Sequence, residues 1–288
     1  VFDFGAYLSR VGLARVPDVS AMHAAHVRSI PFENLDPHIG VASSTVPADV
    51  ARKLVAQRRG GICFEHAVLF KAAAEASGAT VDVFLARIRM GDTPLVERPR
   101  SHPILRYRFG GAEWLADVGL GTGGLIEPIR LLVGPETHQE GWRFRLRSED
   151  PELVLQVAGS GTSVWSDLYG FRPEPVPSIE LEVSNWFTTT HPLSRFVQGI
   201  CVSRYEPGGS RVILTDWDGP LRLVRRIPES ATSVPVAWRE VPPILAERFG
   251  LTDFSPSQLG PNRTAKAYGA ATQSALVRPV APSPHSTS

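Results

Sequence analysis

The chain has 288 residues, room for one large domain or two to three small ones around a sizeable buried core. Hydrophobic residues make up 43% and charged residues 20%, and 30 basic residues nearly balance 29 acidic ones for a formal net charge of +1. This composition excludes extensive disorder, no dense Lys/Arg cluster offers a footprint for nucleic acid or a membrane surface, and no apolar run approaches the roughly 20 residues of a membrane span. Cys63 and Cys201 are the two cysteines, and without C-x-x-C spacing they make no structural zinc site. His23, His26, His38, His138, His191 and His285 fall in no metal-ligand spacing, so no metal is expected. Val1-Phe2-Asp3-Phe4 carries an acid where a secretory leader has its basic residues, and the expectation is a cytoplasmic protein with reduced thiols.

In chain order, the first 80 or so residues read as helical. Ala21–Val27 forms a helix that Ile30-Pro31-Phe32 breaks, and Pro47–Val55 opens another with Pro in its first turn. A third follows Gly60-Gly61 and runs to Gly78, its apolar spacing suiting burial on more than one face. From Val81 the texture turns to strands. Val81–Arg89 is β-rich, and Ile104–Phe109, Gly110-Gly111 and Glu113–Val118 spell a hairpin. Further strands are expected at Trp142–Leu146, Leu153–Val157 and Val212–Leu214, and a last helix at Pro243–Phe249. A tail over 271–288, rich in Pro, Ser and Thr, is expected to be disordered.

Three residues stand out chemically. Two glycines in a tight turn, followed by a helix start, would place Cys63 at a helix N-terminus, where unpaired N–H groups and the dipole lower a thiol pKa. The competing reading is a small buried hydrophobe. A cysteine nucleophile needs a base, and the base an orienting partner. If Gly110-Gly111 is a two-residue turn, Phe109 faces Ala112 and, counting outward, His102 faces Gly119. His102 and Asp117 then share a sheet face as diagonal neighbours roughly 7–8 Å apart; a three-residue turn would put them on opposite faces. His66 neighbours Cys63 on the helix as a tuning or packed histidine, and Glu65 is expected in a buried polar network. Gly119-Leu120-Gly121-Thr122-Gly123-Gly124 matches the dinucleotide fingerprint G-x-G-x-x-G, but Pro128 interrupts the helix that fingerprint requires. The same backbone remains suited to cradling a phosphate-bearing substrate.

Ile30-Pro31-Phe32-Glu33-Asn34-Leu35, Arg59-Gly60-Gly61-Ile62-Cys63-Phe64-Glu65, Ser101-His102, Asp117-Val118-Gly119 and Asn185–Phe196 together resemble the arylamine N-acetyltransferase family in order and spacing. The resemblance implies an α+β fold with a cysteine-protease-like core: a helical bundle (1–82) bearing the cysteine, a β-barrel (83–196) bearing His and Asp, and an α/β lid (197–270). It implies ping-pong chemistry, with acetyl-CoA as co-substrate, no permanently bound cofactor and an aromatic amine as acceptor. By motif position Cys63 is the nucleophile, His102 the base and Asp117 its orienting group, a Cys–His ion pair supplying thiolate. Gly121, Thr122, Gly123 and Phe196 are the implied contacts for the CoA side. Ile62, Ala67 and Leu120 stand where the family usually has an aromatic, an Asn and a Phe. A roomier, less aromatic pocket would suit the family's amide synthases, which take a long acyl chain from an acyl carrier protein and close a macrolactam. A monomer or homodimer is expected.

Overall fold

A computed structural model describes residues 2–15, 18–90 and 98–261. The expected tail over 271–288 lies outside them, as does the final stretch of the expected lid.

The N-terminal part is helical. Helix α1 (Phe4–Arg10) starts where the Asp3 carboxylate accepts the Ala6 N–H at 2.9 Å, and α2 (Val19–Ser29) where Asp18 accepts from Ala21 at 2.8 Å. Strand β1 (Phe32–Glu33) and helix α3 (Leu35–His38) follow. Helix α4 (Pro47–Ala51), with Pro in its first turn, runs on as a π-helical turn over Arg52–Ala56, and α5 is Cys63–Ala76. Tyr7, Met22, Leu54, Phe70 and Ala73 bury one core between these helices and the first barrel strands.

Eight strands then form one antiparallel sheet that nearly closes into a barrel. They are β2 (Thr80–Ile88), β3 (His102–Phe109), β4 (Ala112–Ala116), β5 (Ile129–Arg130), β6 (Thr137–Gln139), β7 (Trp142–Glu149), β8 (Glu152–Gly159) and β9 (Ser166–Phe171), in spatial order β5-β4-β3-β2-β9-β8-β7-β6. Phe84, Ile104, Leu115, Phe144, Tyr169 and Phe171 fill its interior. The hairpin register is the two-residue one: Phe109 faces Ala112 and Leu105 faces Ala116, across Gly110 and Gly111 at φ 60° and 72°. Those positive angles are what a type I′ turn demands.

Helices α6 (Ser178–Thr190) and α7 (Arg195–Gln198) lead to β10 (Cys201–Tyr205), β11 (Arg211–Thr215), β12 (Arg222–Ile227) and β13 (Ser230–Pro235). A 3₁₀ turn (Trp238–Glu240) and α8 (Val241–Ile244), prolonged as a π-helical turn over Leu245–Phe249, complete the described chain. The second sheet has the order β1-β10-β11-β12-β13, so it recruits a strand from the N-terminal part. Phe32 pairs with Ser203 and Glu33 with Val202, which ties the segment before the cysteine to the C-terminal sheet. The architecture is α+β. Among the described residues no helix is long and apolar enough to cross a membrane.

Candidate active site

The site forms where these parts meet. Cys63 is the first residue of α5 and is buried at 3% exposure. The helix start is fixed by Glu65, whose Oε2 accepts the Ile62 N–H at 3.0 Å. Glu65 is in turn held by Lys53 at 2.9 Å, Lys53 by Asp36 at 2.8 Å, and Arg59 joins Asp36 and Glu33, each at 2.7 Å. Five charges of alternating sign thus brace the strand–loop–helix junction that carries the sulfur. Glu65 sits in the polar network the sequence pointed to.

The two glycines before the cysteine do a different job from the one expected. The turn falls at Arg58, with φ 54°, and Gly61 makes a parallel bridge to Phe32. Gly60 and Gly61 are needed for close approach: a β-carbon on Gly60 would lie 2.2 Å from the Pro31 carbonyl oxygen, and one on Gly61 2.8 Å from Glu65. Gly60→Ala should therefore lose about 3 kcal/mol or more of stability in urea melts, because backbone rather than a pliable side chain stands in the way. A loss under about 1 kcal/mol would contradict this packing.

His102 opens β3 and Asp117 follows β4 directly, and the hairpin register places them side by side. The His102 Nε2–H donates to Asp117 Oδ2 at 2.9 Å, and both side chains are buried. Asp117 Oδ1 accepts the Gly119 N–H at 3.0 Å. Burial alone would raise the Asp117 carboxyl, but His102, the Gly119 N–H and His23 together hold it below its ordinary value. Cys63 lies against this pair. A β-carbon on Gly119 would stand 2.8 Å from the Cys63 Cα, and Cys63 Sγ lies 4.0 Å from the carbonyl of Ser101, the neighbour of His102.

The expected low thiol pKa is not found. Burial and the Asp117 charge push the Cys63 thiol up, outweighing the opposing backbone N–H groups of Phe64 and Cys63. The helix N-terminus is present, but the burial of the sulfur opposes it. Cys201, buried in the same apolar cluster, is pushed up to about 12 by burial.

Several residues at the site had no signal in the sequence. His23 accepts the Asp117 backbone N–H on Nε2 at 3.2 Å and donates from Nδ1 to the Ile126 carbonyl at 2.9 Å, which fixes its tautomer. Tyr169, fully buried on β9, sets its ring 5.3 Å from that of His102. His66 is packed: its Nε2 lies 3.3 Å from the Pro31 carbonyl and its Nδ1 2.8 Å from His26 Nε2, while Tyr7 lies 3.1 Å from His26 Nδ1. Neither His23 nor Tyr169 could be placed by spacing, since each meets the site from a distant part of the chain; of the two roles expected for His66, tuning or packed, the contacts show the packed one.

The glycine-rich segment after Asp117 is a loop with no helix behind it, which removes the dinucleotide reading on structural grounds. Gly121 and Thr122 are partly exposed and Gly123 is buried. A β-carbon on Gly121 would strike the Phe32 ring at 2.4 Å, so the loop runs from Cys63 past Phe32. Phe32, Phe196 and Trp217 form an aromatic group, with Phe196 and Trp217 centroids 5.0 Å apart. Trp217 was not singled out from sequence. The departures at Ile62, Ala67 and Leu120 are buried positions, at 0%, 3% and 7% exposure, and Ala67 belongs to the helical core.

An α+β chain with a buried cysteine at a helix start, packed against a barrel hairpin that carries a His–Asp pair, defines a cysteine-protease-like enzyme fold. Residues 16–252 match the family model described as N-acetyltransferase. An arylamine N-acetyltransferase of Mycolicibacterium smegmatis is 41% identical over 214 residues, 70% of this chain and 76% of that protein. A solved structure of an M. smegmatis arylamine N-acetyltransferase superposes with a TM-score of 0.80 at 32% identity, covering 94% of this chain and 98% of that one. The Mycobacterium marinum enzyme in complex with CoA gives 0.81 at 28% identity, over 89% and 96%. The chain belongs to the arylamine N-acetyltransferase family.

Proposed function

We propose that this enzyme moves an acetyl group from acetyl-CoA to an aromatic amine through an acyl-Cys63 intermediate, with His102 as general base and Asp117 as the group that orients it. The observation that carries the reading is the His102–Asp117 hydrogen bond beside a cysteine at a helix start. Because Nε2–H is committed to Asp117, Nδ1 is the ring atom left to accept the thiol proton. Burial pushes the thiol up, and its proton passes to His102 in the course of thioester attack. The Cys63 N–H at the helix start supplies an oxyanion donor. Imidazolium then returns the proton to the leaving CoA thiol, and the amine repeats the sequence in reverse.

Gly121, Thr122, Gly123 and Phe196 are proposed to contact the CoA side; that a relative of the same fold is solved in complex with CoA supports CoA as the donor. Phe32, Phe196 and Trp217 offer flat apolar faces to a planar aromatic acceptor. That supports a small arylamine over a long polyketide chain delivered by a carrier protein.

The test is intact-mass analysis after incubation with acetyl-CoA. One acetyl should be gained by the wild type and none by Cys63→Ala. A wild type that stays unmodified, or a Cys63→Ala protein that still gains the group, would overturn the reading.

A further inference from the structure

Arg211 is the most enclosed basic residue of the C-terminal sheet. It is 1% exposed, yet among the described residues no carboxylate pairs with it, and its Nε has no hydrogen-bond partner. Its Nη2 donates to the Gly124 carbonyl at 2.7 Å, and its guanidinium lies over the Tyr205 and Trp142 rings at 4.6 and 5.1 Å. Two ring faces soften the charge without neutralising it. A guanidinium cannot shed its proton in a protein, so a buried one without a counter-ion is costly to keep. Its partner must come from elsewhere.

The surroundings say where. Nη1 is 3.3 Å from the position a β-carbon on Gly123 would take, so the charge sits directly under the glycine loop. The loop is drawn toward the C-terminal sheet by its carbonyls: Ser203 holds that of Gly121, and Tyr205 joins Arg211 on that of Gly124, at 2.8 Å. With its carbonyl ends tied down and a cation behind it, the loop presents positive potential on its free side. Its near end touches Cys63 at Gly119, and the four residues from there to Gly123 span at most about 14 Å. A long-armed thioester seated on Cys63 thus reaches over the loop with its distal end.

We propose that Arg211 is a positioning residue for the diphosphate of the acyl donor, its buried charge setting the potential of the Gly121–Gly124 loop on which the phosphates lie. The proposal rests on the acetyl-CoA reading above and deepens it. It assigns discrimination between phosphorylated and phosphate-free thioesters to a side chain that touches neither the acyl group nor the amine.

The experiment compares CoA with pantetheine, which keeps the thiol arm and lacks the phosphates. Calorimetric Kd values are measured for both ligands, and KM values for their S-acetyl forms, on the wild type, Arg211→Met and Arg211→Lys. Arg211→Met should weaken CoA about tenfold and leave pantetheine within about twofold, while Arg211→Lys, which keeps the charge, stays within about threefold of wild type for CoA. Equal losses for both ligands would reduce Arg211 to a packing residue, and an unchanged CoA affinity in Arg211→Met would remove it from recognition altogether. Should the variants not fold, inorganic pyrophosphate at constant ionic strength should compete with acetyl-CoA but not with S-acetylpantetheine on the wild type; no competition overturns the proposal. A wild type that acetyl-CoA does not acylate at Cys63 defeats the functional reading instead.

Discussion

Asp117→Asn should reduce kcat by about 10³–10⁴ while leaving the CoA Kd and the melting temperature close to wild type. In the wild type Asp117 Oδ1 accepts the Gly119 N–H and Oδ2 accepts the His102 Nε2–H. An asparagine has one oxygen, and the Gly119 N–H can bond only to that oxygen, so the amide NH₂ must face His102. Nε2 then becomes the acceptor, and the ring proton moves to Nδ1, the atom proposed to take the thiol proton. The geometry survives and the tautomer is wrong, which is the circumstance in which replacing a triad carboxylate costs about four orders of magnitude. Single-turnover acylation by acetyl-CoA measures the step directly. A loss smaller than tenfold would mean that Asp117 does not set the tautomer.

The second large effect concerns pH. Burial takes His23 and His66 down to about 4, and His26 well below its ordinary value. Each is neutral in the folded protein, and the hydrogen bonds fit one proton ordering: Tyr7 O–H to His26 Nδ1, His26 Nε2–H to His66 Nδ1, His66 Nε2–H to the Pro31 carbonyl. The folded pKa values lie below the unfolded value of about 6.5. Between about pH 4 and 6.5 the unfolded chain therefore binds more protons than the folded one. Stability rises with pH through that window and is lost as the pH falls through it, by about 1.4 kcal/mol per pH unit for each histidine. Asp117 acts in the same direction but lower, since its depressed pKa contributes stability that is lost only below about pH 4. Urea melts at pH 7, 6 and 5 should show the decline, and His66→Gln, whose amide can still accept from His26 and donate to Pro31, should reduce its slope by about one-third. A stability that is flat from pH 7 to 5 would contradict neutral burial of all three.

Both predictions depend on features of different legibility. The hairpin was readable because a Gly-Gly pair between alternating strands selects a two-residue type I′ turn, and that turn sets which residues share a face. His102 and Asp117 follow from it by counting. Strand β7 is legible from Trp, Phe and Leu alternating with arginine, and β8 and β11 from their Leu, Val and Ile. Helix α6 was not readable, because Asn185, Thr188 and Thr189 are buried on it while Ile179, Val183 and Trp186 are exposed, the reverse of the pattern that marks an amphipathic helix. Strand β13 carries no buried residue at all, and β12 is interrupted by three arginines.

The sequence by itself determined the element types around the site and, through its motifs, the family; it left the hairpin between two registers, of which the structure has the two-residue one. It could not determine the state of the sulfur. A helix start predicts a lowered thiol pKa from local geometry, but the folded environment removes water from Cys63 and places Asp117 nearby, and both raise it. Nor could it supply His23, Tyr169 or Trp217, each brought in by a contact between distant parts of the chain, or the burial of Arg211. Local geometry is set by neighbours in sequence, and so is legible there. Desolvation and charge are set by everything packed within a few ångströms, and only the tertiary structure decides what that is.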